Sequence, residues 1–125
     1  MNWQFDNNTP IYTQIVSKYR FAIASGELKP GAKLAAVRDI AMEAGVNPNT
    51  MQRAFQELER MGLVFTQRSS GRFVTEDINV IDETKKAFAG EHIKRFLSTM
   101  AGLGFSRDEI MSLIGKTMEG NNGNF

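Results

Sequence analysis

The chain of 125 residues contains no cysteine, a single histidine and no run of eighteen apolar residues. Without cysteine it has no disulfide, no thiolate ligand for zinc and no thiol nucleophile. The one histidine, His92, has no second imidazole to join it in acid–base chemistry or in a cluster of metal ligands. We therefore expect that the protein is not an enzyme and that it carries no metal and no other cofactor.

Neither a membrane span nor a secretion signal is visible in the sequence. The first ten residues, MNWQFDNNTP, lack the basic and apolar parts of a signal peptide, and a transmembrane helix needs about 20 predominantly apolar residues in succession. The cytoplasm is therefore the expected compartment. The net charge of +1 decides nothing about nucleic acid, because binding depends on where the basic residues cluster.

The segment that follows a short N-terminal arm has the pattern of a helix. Thr9 followed by Pro10 has the form of an N-cap with proline at the first helical position. Apolar residues then recur mostly at intervals of four, which predicts a helix over residues 10–25, and Gly26 supplies a left-handed stop. We expect the arm, residues 1–8, to pack its two aromatic side chains against a neighbouring surface.

A tight turn separates the next two predicted helices. An apolar stripe predicts a helix over residues 36–44 that ends at Gly45. Asn47 can accept a hydrogen bond from an amide of the following first turn, and the φ angle of Pro48 already suits a helix. Apolar residues at helical spacing continue this helix over residues 48–61. The arrangement is that of a helix-turn-helix.

A β-hairpin is predicted next. Residues 63–67 and 72–75 are rich in valine, phenylalanine and threonine, and a polar turn at 68–71 separates them. A helix-turn-helix followed by a hairpin is a winged helix. The predicted fold class is therefore mainly α with a small β-hairpin, in which residues 1–77 form an N-terminal winged helix-turn-helix domain.

The composition changes at Glu76-Asp77, and two more helices are predicted beyond it. The first covers about 79–101. The second begins at Ser106, where the S-x-x-E pattern has the form of a capping box. Two helices with about forty residues in total are too small to enclose a hydrophobic core without a partner. We therefore expect residues 78–125 to be a two-helix C-terminal dimerisation region that ends in a disordered tail, GNNGNF.

A stretch without acids coincides with the start of the third predicted helix. Residues 44–56 contain no Asp or Glu. This suits a helix end that lies among DNA phosphates, because a carboxylate there would be repelled. Amides match the donor and acceptor of adenine, and arginine matches the two acceptors of guanine. The residues on the polar face, Asn49, Gln52 and Arg53, are therefore candidate base readers.

Each of these features also has a plainer interpretation. Polar residues occupy the solvent face of any helix, and Arg38 on the preceding helix has Asp39 and Glu43 as available surface partners. Arg68 and Arg72 are either solvated turn charges or contacts to a phosphate or the minor groove. The joint occurrence of the tight turn and these arginines favours DNA contact for Arg38. For the two hairpin arginines the alternatives stay open, with contact favoured for Arg72.

Four motifs occur in the order of a known family. They are PIYTQI, VRDIA and GVNPNTMQRAFQELERMGLV at the three predicted helices and GRFVTED after the hairpin turn. From Thr9 to Asp77 the chain resembles the GntR family of bacterial transcription factors, and within it the short YtrA-like subfamily. The resemblance implies a dimeric winged-helix repressor or activator that binds double-stranded DNA at a palindromic operator, and of the two we expect the repressor. The two-helix C-terminal region of that subfamily dimerises.

Carried over by position, the family's DNA contacts fall on the second and third helices and on the wing around Gly71. Two departures stand out. Ala35-Ala36 replaces the usual proline and serine, which removes a hydroxyl cap worth about 1 kcal/mol. The wing has lost one glycine and has arginine in place of threonine. The full set of candidate DNA-binding residues is Arg38, Asn47, Asn49, Thr50, Gln52, Arg53, Arg68, Gly71 and Arg72.

Two other functions fit a chain of this kind. One is a winged-helix adaptor that binds another protein, since fold alone does not determine function. The other is a switch that binds a small effector between the head and the C-terminal helices, although the sequence assigns no effector. An adaptor has no reason to keep acids out of the third helix, so DNA binding is preferred. A salt titration distinguishes DNA binding from protein binding, because affinity for DNA falls steeply as the salt concentration rises, whereas a protein interface responds weakly.

Overall fold

The computed structural model describes residues 1–121 and contains five α-helices and one two-stranded sheet in that range. In chain order these are α1 (Ile11–Ser25), α2 (Val37–Ala44), α3 (Pro48–Arg60), β1 (Val64–Gln67), β2 (Gly71–Val74), α4 (Ile78–Gly102) and α5 (Arg107–Gly120). This confirms the predicted fold class. The chain divides into two compact units, Met1–Phe88 and Ala89–Phe125. No helix within residues 1–121 combines the length and the apolar character needed to cross a bilayer.

Helix α1 starts one residue later than predicted, and the proposed Thr9 cap is wrong. Pro10 is the N-cap residue, with an extended ψ of 142°, and no side chain caps the helix. The Pro10 carbonyl accepts hydrogen bonds from the amides of Thr13 and Gln14. Because Pro10 is extended and its carbonyl accepts the first hydrogen bonds of the helix, Pro10 is the N-cap residue. Thr9 then lies one residue before the capping position. The predicted stop at Gly26 is confirmed by its φ of 83°.

The N-terminal arm is fastened to α1. Gln14 Oε1 accepts a hydrogen bond from the Asp6 amide at 3.1 Å, and Gln14 Nε2 donates to the carbonyls of Asp6 and Thr9 at 3.0 and 2.9 Å. The Trp3 ring lies with its centroid 6.0 Å from that of Tyr19. The arm therefore packs on the helix, as predicted from its aromatic residues.

The helix-turn-helix is confirmed with its predicted end signals. Gly45 ends α2 with a φ of 71°, and the Val46 amide donates to the Ala41 carbonyl at 3.0 Å. Asn47 then caps α3, its Oδ1 accepting a hydrogen bond from the Asn49 amide at 2.7 Å. Pro48 follows as the first helical residue. The turn is short because one glycine ends the first helix and one asparagine starts the second.

The hairpin is antiparallel and carries a short third segment along its second strand. Val64 pairs with Val74 and Phe65 with Phe73. On the other side of β2, the Leu34 amide donates to the Arg72 carbonyl and the Val74 amide donates to the Ala32 carbonyl, each at 2.9 Å. The extended segment before α2 is therefore paired with the wing, which fixes where α2 begins relative to the hairpin.

The core of the first unit lies between α1, α3 and the hairpin. Phe55 on α3 is fully buried, and its ring centroid lies 5.0 Å from that of Tyr19 in an edge-to-face arrangement. Full burial of a side chain of this size contributes about 1.5–3 kcal/mol relative to exposure. The other largest buried side chains are those of Ile15, Ile23, Met51, Leu58, Leu63, Val64 and Val74. This packing leaves the opposite side of α3 to solvent.

The second unit has almost no core of its own. Ser106 and Glu109 form the predicted capping box, with a side-chain to backbone hydrogen bond in each direction. Ile110 is the one buried residue among positions 89–121. Helix α5 continues to Gly120, the first residue of the predicted disordered tail, and residues 122–125 of that tail lie outside the described range.

Candidate nucleic-acid interface

The start of α3 presents polar side chains and no acid. The first turn contains no Asp or Glu. Asn47, Asn49 and Arg53 are exposed, whereas Thr50 and Gln52 are partly buried. Since Asn47 Oδ1 is occupied by the Asn49 amide, only the amide nitrogen of Asn47 remains to donate to a ligand. This end of the helix therefore offers hydrogen-bond donors together with the positive end of the helix dipole.

The two carboxylates of α3 are both engaged by arginines. Arg60 Nε donates to both oxygens of Glu57 at 3.0 Å, and this hydrogen bonding lowers the pKa of Glu57. Burial raises the pKa of Glu59, but hydrogen bonds from Thr66 and Arg72 outweigh it and the net shift is downward. Across residues 1–121, no three His, Asp or Glu side chains are grouped so that they can hold a metal ion.

Arg53 is stacked on an aromatic ring from another helix. Its guanidinium carbon lies 3.8 Å from the centroid of the Tyr12 ring on α1. Arg53 lies about 200° around the helix from Phe55, at 100° per residue, so the packing of Phe55 in the core directs Arg53 away from it. The guanidinium thus has a defined position although the residue is exposed.

Arg38 lies on the exposed side of α2, one residue after that helix begins. The residue before the helix, Ala36, makes no side-chain cap bond, which confirms the predicted loss of the cap. Within the part of the chain that the structure describes, Arg38 makes no ion pair with Asp39 or Glu43. The alternative in which Arg38 pairs with a carboxylate on its own helix is therefore not found in the structure.

The wing turn adopts left-handed backbone at two positions. Ser69 has a φ of 67° and Gly71 a φ of 106°. A non-glycine residue in this region is uncommon, so Ser69 occupies a position that glycine fills at less conformational cost. A Cβ on Gly71 would lie 3.3 Å from Lys33 Cε, a contact that a small movement of the lysine side chain would relieve. Arg68 at this turn is exposed.

Arg72 does not point from the wing tip into solvent. It pairs with Thr66 across the hairpin, and both lie on the face that carries the buried Val64 and Val74. Arg72 Nε donates to Glu59 Oε1 at 2.8 Å, and Thr66 Oγ1 donates to the same oxygen at 2.6 Å. Only 20% of the Arg72 side chain is exposed. The arginine thus ties the wing to α3.

A cleft of about 520 Å³ brings the wing next to the start of α2. Gly71 and Arg72 line it from the hairpin, and Ala36 and Val37 line it from the segment just before Arg38. Lys33 lies on the same cleft. The structure therefore groups Gly71 and Arg72 with the start of α2, whereas Arg53 lies against α1.

Three side chains that the sequence analysis did not assign take part in this arrangement. They are Tyr12 beneath Arg53, Glu59 beside Arg72, and Lys33 on the cleft. Tyr12 and Glu59 act through contacts between elements distant in the chain, which local periodicity does not reveal. Lys33 belongs to a short extended segment. Its position near the wing depends on the pairing of that segment with β2, which the sequence does not show.

Replacing Glu59 with alanine is expected to loosen the wing. Arg72 and Thr66 both lose their acceptor, and a hydrogen bond to a charged group is worth about 1.5–3 kcal/mol, reduced here by partial exposure. We expect faster amide hydrogen exchange in β1 and β2 and a loss of about 1–2 kcal/mol in the free energy of unfolding. The matched control is Glu57→Ala, whose partner Arg60 is 70% exposed.

The Glu59 contribution should also depend on pH. Because the pKa of Glu59 is lowered in the folded protein, its stabilisation is complete above the ordinary pKa of a glutamate and is lost as pH falls through the lowered value. The stability difference between the wild type and Glu59→Gln should therefore shrink below about pH 4. If amide hydrogen exchange in β1 and β2 is unchanged in Glu59→Ala, Glu59 does not hold the wing.

Comparisons with known proteins show the family to which this chain is similar. The family model for bacterial regulatory proteins of the gntR family matches residues 11–74. The HTH-type transcriptional regulator YhcF of Bacillus subtilis (strain 168) is 38% identical over 120 residues, covering 96% of this chain and 99% of that protein. The HTH-type transcriptional repressor YtrA of the same organism is 36% identical over 92 residues, covering 73% of this chain and 71% of that protein.

A solved structure is also similar over most of the chain. A GntR family transcriptional regulator from Listeria monocytogenes has a TM-score of 0.82 and 37% sequence identity, covering 90% of this chain and 98% of that chain. The similarity therefore continues beyond the winged helix into the helices that follow it. These relatives are named as regulators and not as enzymes.

Proposed function

The chain belongs to the GntR family of bacterial regulatory proteins and is a DNA-binding transcriptional regulator, and we propose that it is a cytoplasmic repressor that binds a palindromic operator as a homodimer. In this proposal α3 enters the major groove and wing residues 68–72 contact the backbone or the minor groove. The observation that carries it is the acid-free, donor-rich start of α3, followed by carboxylates that arginines already hold. The repressor function is supported by the name of the relative YtrA.

Base reading is assigned to the exposed side of α3. Asn49 and Gln52 present amides, which match the hydrogen-bonding edge of adenine, and Arg53 matches guanine O6 and N7. A good bidentate pair discriminates against a wrong base by about 1–3 kcal/mol. These three residues lie within the first two turns of the helix, the part that enters the groove first in a helix-turn-helix.

Backbone contacts are assigned to the residues around this helix start. Arg38 and Arg68 are exposed cations without a competing carboxylate in the described chain. The free amide nitrogen of Asn47 and the hydroxyl of Thr50 can donate to phosphate oxygens. Gly71 permits close approach of the wing backbone. We keep Arg72 in the set of proposed DNA contacts as well, because its bond to Glu59 uses Nε and it lies beside Gly71 on the cleft.

Dimerisation is assigned to residues 78–125, and residues 1–77, with the arm 1–8, are assigned to DNA binding. Within the second compact unit, a cleft of about 350 Å³ is lined by Phe96, Met100, Leu113, Ile114, Thr117 and Met118. Large apolar side chains elsewhere in this unit are also exposed, with Ile93 at 57% and Met111 at 62%. An exposed apolar surface of this kind is typical of an interface. A second copy is the partner that a two-fold operator requires.

Selection of bound duplexes from a random pool tests the proposal directly. We expect enrichment of two inverted half-sites, with centres about 34–36 Å or a multiple of that distance apart. The logarithm of the affinity should fall linearly with the logarithm of salt concentration. A pool without enrichment at low ionic strength would contradict DNA recognition and favour a protein-binding adaptor, whose affinity responds weakly to salt.

Replacing Arg53 with alanine is expected to reduce operator affinity about 5- to 100-fold and to relax base preference at one position of each half-site. The fold should be unaffected, because Arg53 is exposed. Fluorescence anisotropy with the selected operator and with single-base variants measures both effects. The matched control is Arg60→Lys, which removes an exposed arginine from the same helix and keeps a cation beside Glu57. Intact specificity in Arg53→Ala would remove Arg53 from the readers.

A further inference from the structure

The contact between Tyr12 and Arg53 joins the first helix to the proposed recognition helix. The guanidinium carbon lies 3.8 Å from the ring centroid, which is closer than any other cation–π contact in residues 1–121. Tyr12 is only partly buried and belongs to the PIYTQI motif, whose Gln14 holds the arm. The rest of the packing of Tyr12 is at the edge of the core of the first unit, against which it lies as one of the partly buried apolar side chains.

Stacking and base recognition use different parts of a guanidinium. The guanidinium carbon of Arg53 lies over the ring at 3.8 Å. A guanidinium stacks on an aromatic ring through its face, whereas its five N–H donors lie in the plane and point outward from its edge. Arg53 can therefore keep its contact with Tyr12 while the edge donates two hydrogen bonds to guanine. A lysine at this position could not stack and donate two coplanar hydrogen bonds at the same time, because its ammonium group is not planar.

The neighbouring carboxylate, Glu57, attracts Arg53 electrostatically but forms its ion pair with Arg60. Glu57 lies one turn further along α3, where an i,i+4 ion pair with Arg53 is sterically accessible. Its two oxygens instead accept hydrogen bonds from Arg60 at 3.0 Å. No carboxylate within residues 1–121 forms an ion pair with Arg53. The ring of Tyr12 is thus the contact that positions the guanidinium.

We infer that Tyr12 is a positioning residue for sequence recognition: its ring holds the Arg53 guanidinium in the orientation that reads guanine. This inference depends on the proposed function, since it needs Arg53 to be a base reader. A long exposed side chain loses conformational freedom when it binds, and pre-stacking removes part of that loss before DNA arrives. Tyr12 therefore affects discrimination between bases more than general attraction to DNA.

The test compares Tyr12→Leu with Tyr12→Phe. Leucine should lower affinity for the selected operator about 2- to 5-fold, the range that an exposed cation–π contact supports. It should reduce by the same factor the preference for guanine over other bases at the position that Arg53 reads. Phenylalanine keeps the ring and should restore both quantities. Affinity for non-operator DNA and the salt dependence should not change, because the phosphate contacts are retained.

A double-mutant cycle separates this role from a structural one. In the Arg53→Ala background, Tyr12→Leu should have no further effect on affinity or base preference. Circular dichroism and the thermal midpoint check that α1 is intact. If leucine lowers the midpoint, Tyr12→Met, which keeps a similar length without a ring, is measured in its place and should give the same loss of discrimination.

The possible outcomes distinguish failure of the inference from failure of the proposed function. If Arg53→Ala keeps full specificity, the assignment of Arg53 as a reader is wrong. If Arg53→Ala loses specificity while Tyr12→Leu keeps it, the positioning role alone is overturned. Higher affinity in Tyr12→Leu would also overturn it, since the ring would then be holding the arginine away from DNA.

Discussion

Replacing Phe96 with aspartate is expected to convert the protein from a dimer to a monomer. Phe96 lines the apolar cleft of the second unit and is 41% exposed. In a dimer it would be covered, and an unpaired carboxylate buried at an interface is strongly unfavourable. Operator affinity should then fall about 10²- to 10⁴-fold, because two linked heads bind with an effective concentration that a single head does not have.

Sedimentation at micromolar concentration and anisotropy with the selected operator measure the two effects. The matched control is Ser98→Asp, which adds the same charge to the same helix at an exposed position about 200° around the axis from Phe96. We expect this control to remain dimeric. A wild-type protein that sediments as a monomer, or a Phe96→Asp variant that stays dimeric, would contradict the assignment of residues 78–125 to dimerisation.

Replacing Phe55 with alanine is expected to lower the free energy of unfolding by about 3–5 kcal/mol. Phe55 is fully buried between α1 and the hairpin, so the substitution removes both apolar burial and the contacts of the ring with Tyr19. Small domains have a total stability of about 5–15 kcal/mol. The variant should therefore be partly unfolded or close to it at physiological temperature and should lose operator binding for that reason.

Urea unfolding followed by tryptophan fluorescence measures this effect in the first unit. Trp3 is the only tryptophan in the sequence, and its ring lies beside Tyr19, which contacts Phe55. The matched control is Phe65→Ala, since Phe65 is 43% exposed on the outer face of the hairpin. We expect the control to lose about 1 kcal/mol or less. Equal losses in the two variants would show that the core is not centred on Phe55.

Features with local causes were predictable from the sequence. Gly26 and Gly45 end helices in left-handed conformations, Asn47 caps α3, and Ser106 forms a capping box with Glu109. Each signal involves residues within one turn of each other, so the neighbouring sequence contains all the relevant partners. The predicted Thr9 cap was wrong although it is also a local feature. The same residues allow the helix to begin one residue later, with Pro10 as the N-cap residue.

The candidate interface was less predictable than the helices. Sequence reasoning placed Arg53 on the polar face of α3 but did not predict the ring beneath it. It favoured Arg72 as a DNA contact, whereas the structure pairs this arginine with Glu59. That pairing follows from strand alternation and register, which place Arg72 on the inward face of the hairpin opposite Thr66. Contact of the nine candidate residues with DNA stays a prediction.

The sequence by itself determined the order of the helices, most of their end signals, the winged-helix class and the acid-free start of α3, because periodicity, caps and charge are properties of adjacent residues. Only the tertiary structure decided which arginine has a partner. Arg53 stacks on Tyr12, Arg72 binds Glu59, and Arg38 has no ion pair among the described residues. The reason is that these contacts join elements far apart in the chain, and their geometry is set by the packing of α1, α3 and the hairpin around Phe55.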